Sequence, residues 1–333
     1  MKIGLDAGAL CADSTGQFGT YRYTQELLWA LETYGSPVHS YQAFAFCDLH
    51  YDSSIPVHSA KPSIGWTKLA LPAALLIKGI DVYIAVNQEL PGFFAGKKIA
   101  ISHGLSFLFH RHMYYYDYHR LHAQLERYTN KSDYIIVSSE RVRNEMIRYR
   151  PDTEARIRVL PFGIRAYGPA EAELTARPYF LFAGSDQPVK NLPFLLSAFK
   201  SFRNEHGYQD VELILAGPNL SSVPDGVRQV GHLNREKLQK LYSGALAYVT
   251  ASVYESFNYP VLEALTAGCP VIGTSSAVIP EMQDAVTLAD SKKAFTAALR
   301  DAYAGRLPKP DRVAIAERFS WRKYVRSLEE LFV

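Results

Sequence analysis

Residues 247–273 read AYVTASVYESFNYPVLEALTAGCPVIG, and this stretch decides the fold. Ala247–Thr250 is short and apolar, as in a strand buried on both faces of a parallel sheet. A loop carrying Glu255 follows. Pro260 then suits the first turn of a helix, Val261–Ala267, and Pro270–Gly273 is the next apolar run. Strand, loop, helix and strand make one βαβ unit.

The same alternation runs outward from it. Tyr179–Ala183 and Val211–Ala216 read as strands, Leu192–Phe202 and Arg235–Tyr242 as helices. Upstream, Ile3–Asp6, Asp81–Val86, Lys98–Ser102, Tyr134–Ser138 and Arg158–Leu160 read as strands. Helices are expected at Tyr21–Leu31 and Arg141–Tyr149, and Phe107–Lys131 reads as one long polar-aromatic helix. From 167 to 178 the text turns to Gly, Pro, Ala and Glu without apolar periodicity, which marks a linker. The expected fold class is α/β, with two Rossmann-like doubly wound domains, 1–166 and 179–318, facing a cleft. A terminal helix, 319–333, is placed to pack back on the first domain.

Composition agrees. A chain of 333 residues fits two domains of about 150 residues each. Lys and Arg total 36 against 33 Asp and Glu, a net charge of +3, which argues against disorder and against a nucleic-acid partner. Cys11, Cys47 and Cys269 are too few and too scattered for a disulfide scaffold, and none forms a Cys-x-x-Cys pair for zinc. A reducing, cytoplasmic setting is the expectation. Met1–Asp6 reads as a strand rather than a signal peptide. The apolar stretch Leu69–Ile77 lies between Lys68 and Lys78, is interrupted by Pro72, and is too short to span a bilayer.

Two loops carry the chemistry. Glu255 sits on the loop after one strand, and Glu263 lies one turn inside the helix that follows. Both can face one cleft and accept hydrogen bonds from ligand hydroxyls; equally, both can serve only the helix start through its dipole. The loop Ala183–Pro193 also joins a strand to a helix. Its small residues, Gly184 and Ser185, offer backbone N–H groups to an anion, and Lys190 adds a point charge. Phosphate or diphosphate is the matching ligand; a solvated lysine at a turn is the plainer reading.

Together these blocks resemble glycosyltransferase family 4, the retaining transferases of GT-B fold. Tyr254–Leu265 resembles the family's Glu-x7-Glu motif, with Ala267–Ile272 and Ile279-Pro280-Glu281 following it. Gly184–Leu192 looks like its diphosphate loop and Gly231-His232-Leu233 like the segment before the motif strand. In the first half, Gly4–Ala7, Thr15-Gly16, Tyr21–Thr24, Ile101–Phe107, Val137–Glu140 and Arg156–Pro161 resemble the mannosyltransferase-like branch.

The resemblance implies roles. Glu263 would hold the nucleotide ribose and Glu255 the donor sugar, with the backbone N–H groups of Phe257 and Asn258 on sugar hydroxyls. Gly184, Ser185 and Lys190 would cradle the departing diphosphate. His232 and Leu233 would line the base, His103 would lie near the reacting carbon, and Gly16 and Gly19 would face the acceptor. The implied reaction moves a hexose from a nucleotide diphosphate sugar, GDP-mannose ahead of UDP-sugars, to a glycan or lipid-linked acceptor. It retains configuration and uses no metal or other cofactor. The sequence departs from the family pattern where an arginine usually accompanies the lysine: Ser185 and Val189 stand there. Asn258 replaces the usual glycine, and Gly104 the aspartate common after the histidine. The missing arginine motivates a second reading, a degenerate GT-B protein that binds a sugar nucleotide or a partner enzyme without turnover.

Phe107–Lys131 holds seven aromatics, four histidines and four basic residues. It reads either as a peripheral contact with an anionic membrane or as an aromatic surface helix at the acceptor side or a dimer contact. His119 and His122 sit three apart, but nothing nearby completes a zinc site. The first-loop glycines do not spell Gly-x-Gly-x-x-Gly, and no nucleophile elbow is present, so dehydrogenase and hydrolase readings are weak.

Overall fold

A computed structural model describes residues 1–11, 19–49, 51–61, 63–113, 117–165 and 175–333. The chain divides into two compact units, Met1–Arg165 with Phe319–Val333, and Ala166–Arg318.

The first unit is built on a seven-stranded, all-parallel sheet. Its strands are β1 (Lys2–Asp6), β2 (Ser40–Ala45), β3 (Val57–Ser59), β4 (Val82–Ala85), β5 (Lys97–Ser102), β6 (Tyr134–Val137) and β7 (Ile157–Val159), in the order β3-β2-β1-β4-β5-β6-β7. The crossovers are α1 (Gly19–Tyr34), α2 (Leu71–Lys78), α3 (Ser106–Phe109), α4 (Tyr118–Lys131) and α5 (Glu140–Tyr149). Central strands are fully buried runs such as Val82-Tyr83-Ile84-Ala85, which is why they read as unbroken apolar text. The chain direction across the sheet reverses between β1 and β4, and that switch point is where open parallel sheets bind ligands.

The second unit has a six-stranded parallel sheet. It comprises β8 (Tyr179–Ala183), β9 (Glu212–Ala216), β10 (Val227–Gly231), β11 (Ala247–Thr250), β12 (Val271–Gly273) and β13 (Thr287–Leu288), ordered β10-β9-β8-β11-β12-β13. Helices α6 (Leu192–Arg203), α7 (Arg235–Gly244), α8 (Tyr259–Ala267), α9 (Lys292–Tyr303) and α10 (Arg312–Arg318) surround it. Its switch point lies between β8 and β11.

The last helix, α11 (Trp321–Glu329), returns to the first unit. Ile164 bridges Ser320, Trp321 Nε1 donates to Glu26 (3.1 Å), and Tyr324 meets Tyr23 hydroxyl to hydroxyl. Gly163 is needed there, because a Cβ would lie 2.4 Å from the Trp321 ring.

Two expectations are corrected. Phe107–Lys131 is not one helix: α3 ends at Phe109, a short 3-10 turn covers Arg111–Met113, and α4 starts at Tyr118. The cysteines are not all free, since Cys11 and Cys47 form a disulfide across 36 residues of sequence. Topology explains the pairing: β1 and β2 are parallel neighbours, so the segments leaving their carboxyl ends emerge side by side. Cys269 is buried and free, its thiol pushed up to about 12 by burial.

Closing a loop of that length stabilises the fold by about 4 kcal/mol in the chain-entropy account. Thiol titration of the denatured, unreduced protein should therefore count one thiol, and three after reduction. Three thiols without reductant would show that the cross-link is absent.

Candidate functional site

In the second unit, Lys190 and Glu255 meet at the switch point. Lys190 follows β8, Glu255 follows β11, and Nζ donates to Oε1 at 2.7 Å. The backbone ties the two loops, Val253 N–H donating to the Val189 carbonyl (2.9 Å). Both side chains are largely buried, 21% and 13% exposed, so the pair is held without full solvent screening.

Both loops end by the same local device. Asn191-Leu192-Pro193 opens α6 and Asn258-Tyr259-Pro260 opens α8, each asparagine in the left-handed region with φ of 51° and 70°. Asparagine tolerates that backbone almost as glycine does. This accounts for Asn258 where glycine is usual. Its amide donates to the Ala277 carbonyl (2.8 Å) and lies buried. Neither asparagine side chain caps its helix; the asparagine carbonyls instead accept from the first turns, Asn191 from Phe194 and Leu195 N–H and Asn258 from Val261 N–H.

Gly184 adjoins this pair, a Cβ there lying 3.9 Å from Lys190 Cε. Its N–H donates to the Ala216 carbonyl, and Gly217 N–H donates to Gly231. Gly217, at φ 105°, admits no side chain, because a Cβ would fall 2.0 Å from the Gly184 carbonyl. Ser185 is half-buried beside Gly184; His232 is exposed and Leu233 half-buried in the turn after β10. Phe257 is buried against Tyr259, ring centroids 5.0 Å apart.

Glu263 differs from Glu255. It is 1% exposed, on a helix buried nearly all round, and accepts a hydrogen bond from the Tyr242 hydroxyl (3.1 Å). The buried Tyr248 hydroxyl donates to the Ala183 carbonyl (3.2 Å) and feels the charge of both carboxylates. Arg165 is engaged in the first unit. It is bonded to Glu26 (3.2 Å) and lies over the Trp29 ring. Arg235 is exposed at the start of α7.

The first unit has its own constellation. Asp6 ends β1 at the switch point and is fully buried, accepting from Gly8 N–H (2.8 Å) and, across the switch, from Asn87 N–H (3.1 Å). Burial pushes its carboxyl up to about 7; the two N–H donors pull the other way, and the Glu89 charge adds to the rise. Asp6 lines a cavity of about 660 Å³ with Phe46, Trp66, Asn87 and Glu89. Trp66 Nε1 is buried there without a hydrogen-bond partner among the described residues. Asn87 and Glu89 also line a neighbouring cavity of about 480 Å³ that contains His103, Thr20 and Arg120.

His103 donates Nε2–H to the Val86 carbonyl (2.7 Å) and packs edge-on to Tyr23. Burial pushes its pKa down to about 4, against that hydrogen bond. The ring is therefore neutral, with a lone pair at Nδ1. Gly104 has φ 107°, a conformation that an aspartate would hold only under strain. Gly19 begins α1 with open space around it; Gly16 lies outside the described residues. Among the described residues, no group of three or more His, Cys, Asp or Glu is arranged to hold a metal ion.

Sequence reasoning missed Asp6 as a site residue and missed the aromatic wall, Phe46 and Trp66. The one signal was a carboxylate ending an otherwise apolar strand.

These shifts set opposite pH signatures. Asp6 keeps its proton in the fold up to about 7 and loses it near 3.8 when unfolded, so its contribution is present at low pH and falls as pH rises. His103 is neutral in the fold down to about 4 but takes a proton below 6.5 when unfolded, so its contribution rises with pH. Relative to the parent, Asp6→Asn should gain stability from about pH 4 to 7 and His103→Gln should lose it, as urea midpoints at several pH values will show. Slopes of the same sign would refute these assignments.

Comparison with known proteins covers the chain in two stretches. The family model described as Glycosyltransferase Family 4 matches residues 19–166, and that described as Glycosyl transferases group 1 matches 177–304. O-antigen chain mannosyltransferase B of Escherichia coli is 28% identical over 168 residues, 45% of this chain and 44% of that protein. The chain thus matches less than half the length of that relative. Sucrose-phosphate synthase of Thermosynechococcus elongatus superposes with a TM-score of 0.77 at 20% identity, covering 99% of this chain and 98% of that one. HepE of Anabaena, in complex with UDP-glucose, gives 0.68 at 13% identity over 99% of both chains. Both likenesses are of fold. The chain belongs to glycosyltransferase family 4, and its two parallel-sheet α/β units match GT-B structures.

Proposed function

We propose that this protein transfers a hexose, with retention of configuration, from a nucleotide diphosphate sugar to a glycan or lipid-linked acceptor. Mannose from GDP-mannose stands ahead of UDP-sugars, on the resemblance of the first half and the relation to a mannosyltransferase. The setting is polysaccharide or glycoconjugate synthesis. The observation that carries the reading is the Lys190–Glu255 pair at the switch point of the second sheet.

In this reading the diphosphate replaces Glu255 as the partner of Lys190. The ammonium, beside the Gly184–Ser185 loop, neutralises charge on the leaving group, where such charge develops. Glu255, released, accepts hydrogen bonds from the sugar hydroxyls, joined by the N–H groups of Phe257 and Asn258. Glu263, one oxygen already held by Tyr242, takes the ribose, and His232 and Leu233 flank the base. The acceptor hydroxyl attacks from the face the diphosphate leaves, and a phosphate oxygen takes its proton. His103, neutral, acts as a hydrogen-bonding group on the acceptor side together with Gly16 and Gly19, and not as an acid near neutral pH. Lysine performs the neutralisation that a metal would otherwise supply, so transfer should survive a chelator.

A second reading, binding without turnover, draws on Ser185 and Val189 in place of the arginine. The Lys190–Glu255 contact separates the two. Glu255→Gln frees the ammonium, so nucleoside diphosphate should bind several-fold tighter while transfer falls at least a hundredfold. Lys190→Ala should weaken diphosphate binding by about 2 kcal/mol, roughly thirtyfold, the value of a charge-assisted hydrogen bond. Calorimetry with GDP and UDP, and sugar release from a donor panel, measure both. Binding without any transfer by the parent protein would favour the second reading; no nucleotide binding at all would defeat both.

A further inference from the structure

Exposed large apolar side chains are scattered singly over most of the described surface, but they cluster between residues 64 and 93. Leu69, Leu76 and Ile77 are 73%, 77% and 81% exposed, Phe93 is 74% and Ile64 is 89%. The cluster has an architectural cause. A π-turn, Trp66–Ala70, runs directly into α2, and the two share one inner face: Trp66, Leu71 and Leu75 are buried, with Ala70 and Ala74 packed beside them. Leu69, Ala73, Leu76 and Ile77 recur at helical spacing on the opposite face, and all four are exposed. Gly92 N–H donates to the Thr67 carbonyl (2.7 Å), which brings Phe93 beside the first turn. A soluble helix would place polar residues on that outer face; this one is apolar on both faces.

The rim is cationic. From Lys61 to Ile80 there are three lysines and no carboxylate in the sequence. Lys61 is paired with Asp48, whereas Lys68 and Lys78 take part in no ion pair among the described residues. Lys2 reaches the same end, its Nζ donating to the Lys78 carbonyl (3.2 Å). Asp81, which adjoins that end, accepts the Lys2 backbone N–H. Ile64 and Lys68 also line the cavity that holds Asp6, so the apolar face is continuous with the mouth of that cavity.

We propose that the outer face of Leu69–Ile77, with Phe93, docks on an anionic lipid bilayer. Leu69, Leu76, Ile77 and Phe93 enter the headgroup–acyl boundary, while Lys68 and Lys78 extend to the lipid phosphates. The described part of Phe107–Lys131 is a poorer candidate, because Phe107 is buried, Tyr118 and Leu121 pack on the core, and of its described large apolar side chains only Phe109 is exposed, at 44%. The inference does not rest on the transfer reaction. It does make a lipid-linked acceptor the natural occupant of the adjoining cavity.

Co-sedimentation of the full chain with phosphatidylcholine vesicles, with and without about 30% phosphatidylglycerol, tests it without donor or acceptor present. Binding should be at least about tenfold stronger to the anionic vesicles, and Leu76→Glu with Ile77→Glu should abolish that gain. Lys78→Glu should weaken binding and its salt dependence. Leu288→Glu, at an isolated exposed leucine of the second unit, should change nothing. Thermal melts confirm that each variant is folded. Equal recovery with both vesicle types, or full binding by the Leu76/Ile77 double variant, would overturn the proposal. So would a dimer in sedimentation equilibrium that the double variant dissolves, since the face would then belong to a second copy of the chain.

Discussion

One ion pair organises the second unit. Lys190 and Glu255 come from loops separated by 65 residues, and they meet only because β8 and β11 are adjacent at the reversal of strand order. The contact is favourable in a partly desolvated place, yet neither group is locked away. Each keeps some exposure. A cation held by a replaceable carboxylate is poised for an incoming anion, and the released carboxylate is then free to serve another part of the same ligand. The left-handed asparagines, the glycine contact at Gly217 and the Val253–Val189 bond all fix the loops that make this exchange local.

The first unit repeats the geometry with different chemistry. Its switch point holds Asp6, a carboxyl that burial pushes up to about 7, and close by a histidine that burial keeps neutral. The two cavities there share Asn87 and Glu89, and Glu89 is itself steadied by Gln124 (3.0 Å). Carboxyl and amide groups beside aromatic walls suit sugar hydroxyls better than phosphates.

Much of this was legible from residue order, for a physical reason. Strands buried on both faces, such as Tyr179–Ala183 and Ala247–Thr250, have no polar face to interrupt them, so their ends are sharp in the text. The loops bearing Lys190 and Glu255 follow from those ends. Strand β10 was not legible, because Val227–Gly231 pairs on one side only and carries Arg228 and Gln229. Helix α2 read as an apolar stretch too short to cross a membrane, and its outward Leu76 and Ile77 emerged only with burial known. The Cys11–Cys47 bond and the Asp6–Asn87 contact depend on which strands are neighbours, which spacing along the chain does not encode. Glu263 was placed correctly one turn into α8, but its depth among buried side chains depends on how that helix packs.

The most direct measurement is a crystal structure of the protein with a soaked nucleoside diphosphate. The account predicts Lys190 Nζ within hydrogen-bonding distance of a phosphate oxygen, at roughly 2.8 Å, with Glu255 displaced from it. A diphosphate bound elsewhere, with the 2.7 Å Lys190–Glu255 contact intact, would contradict it.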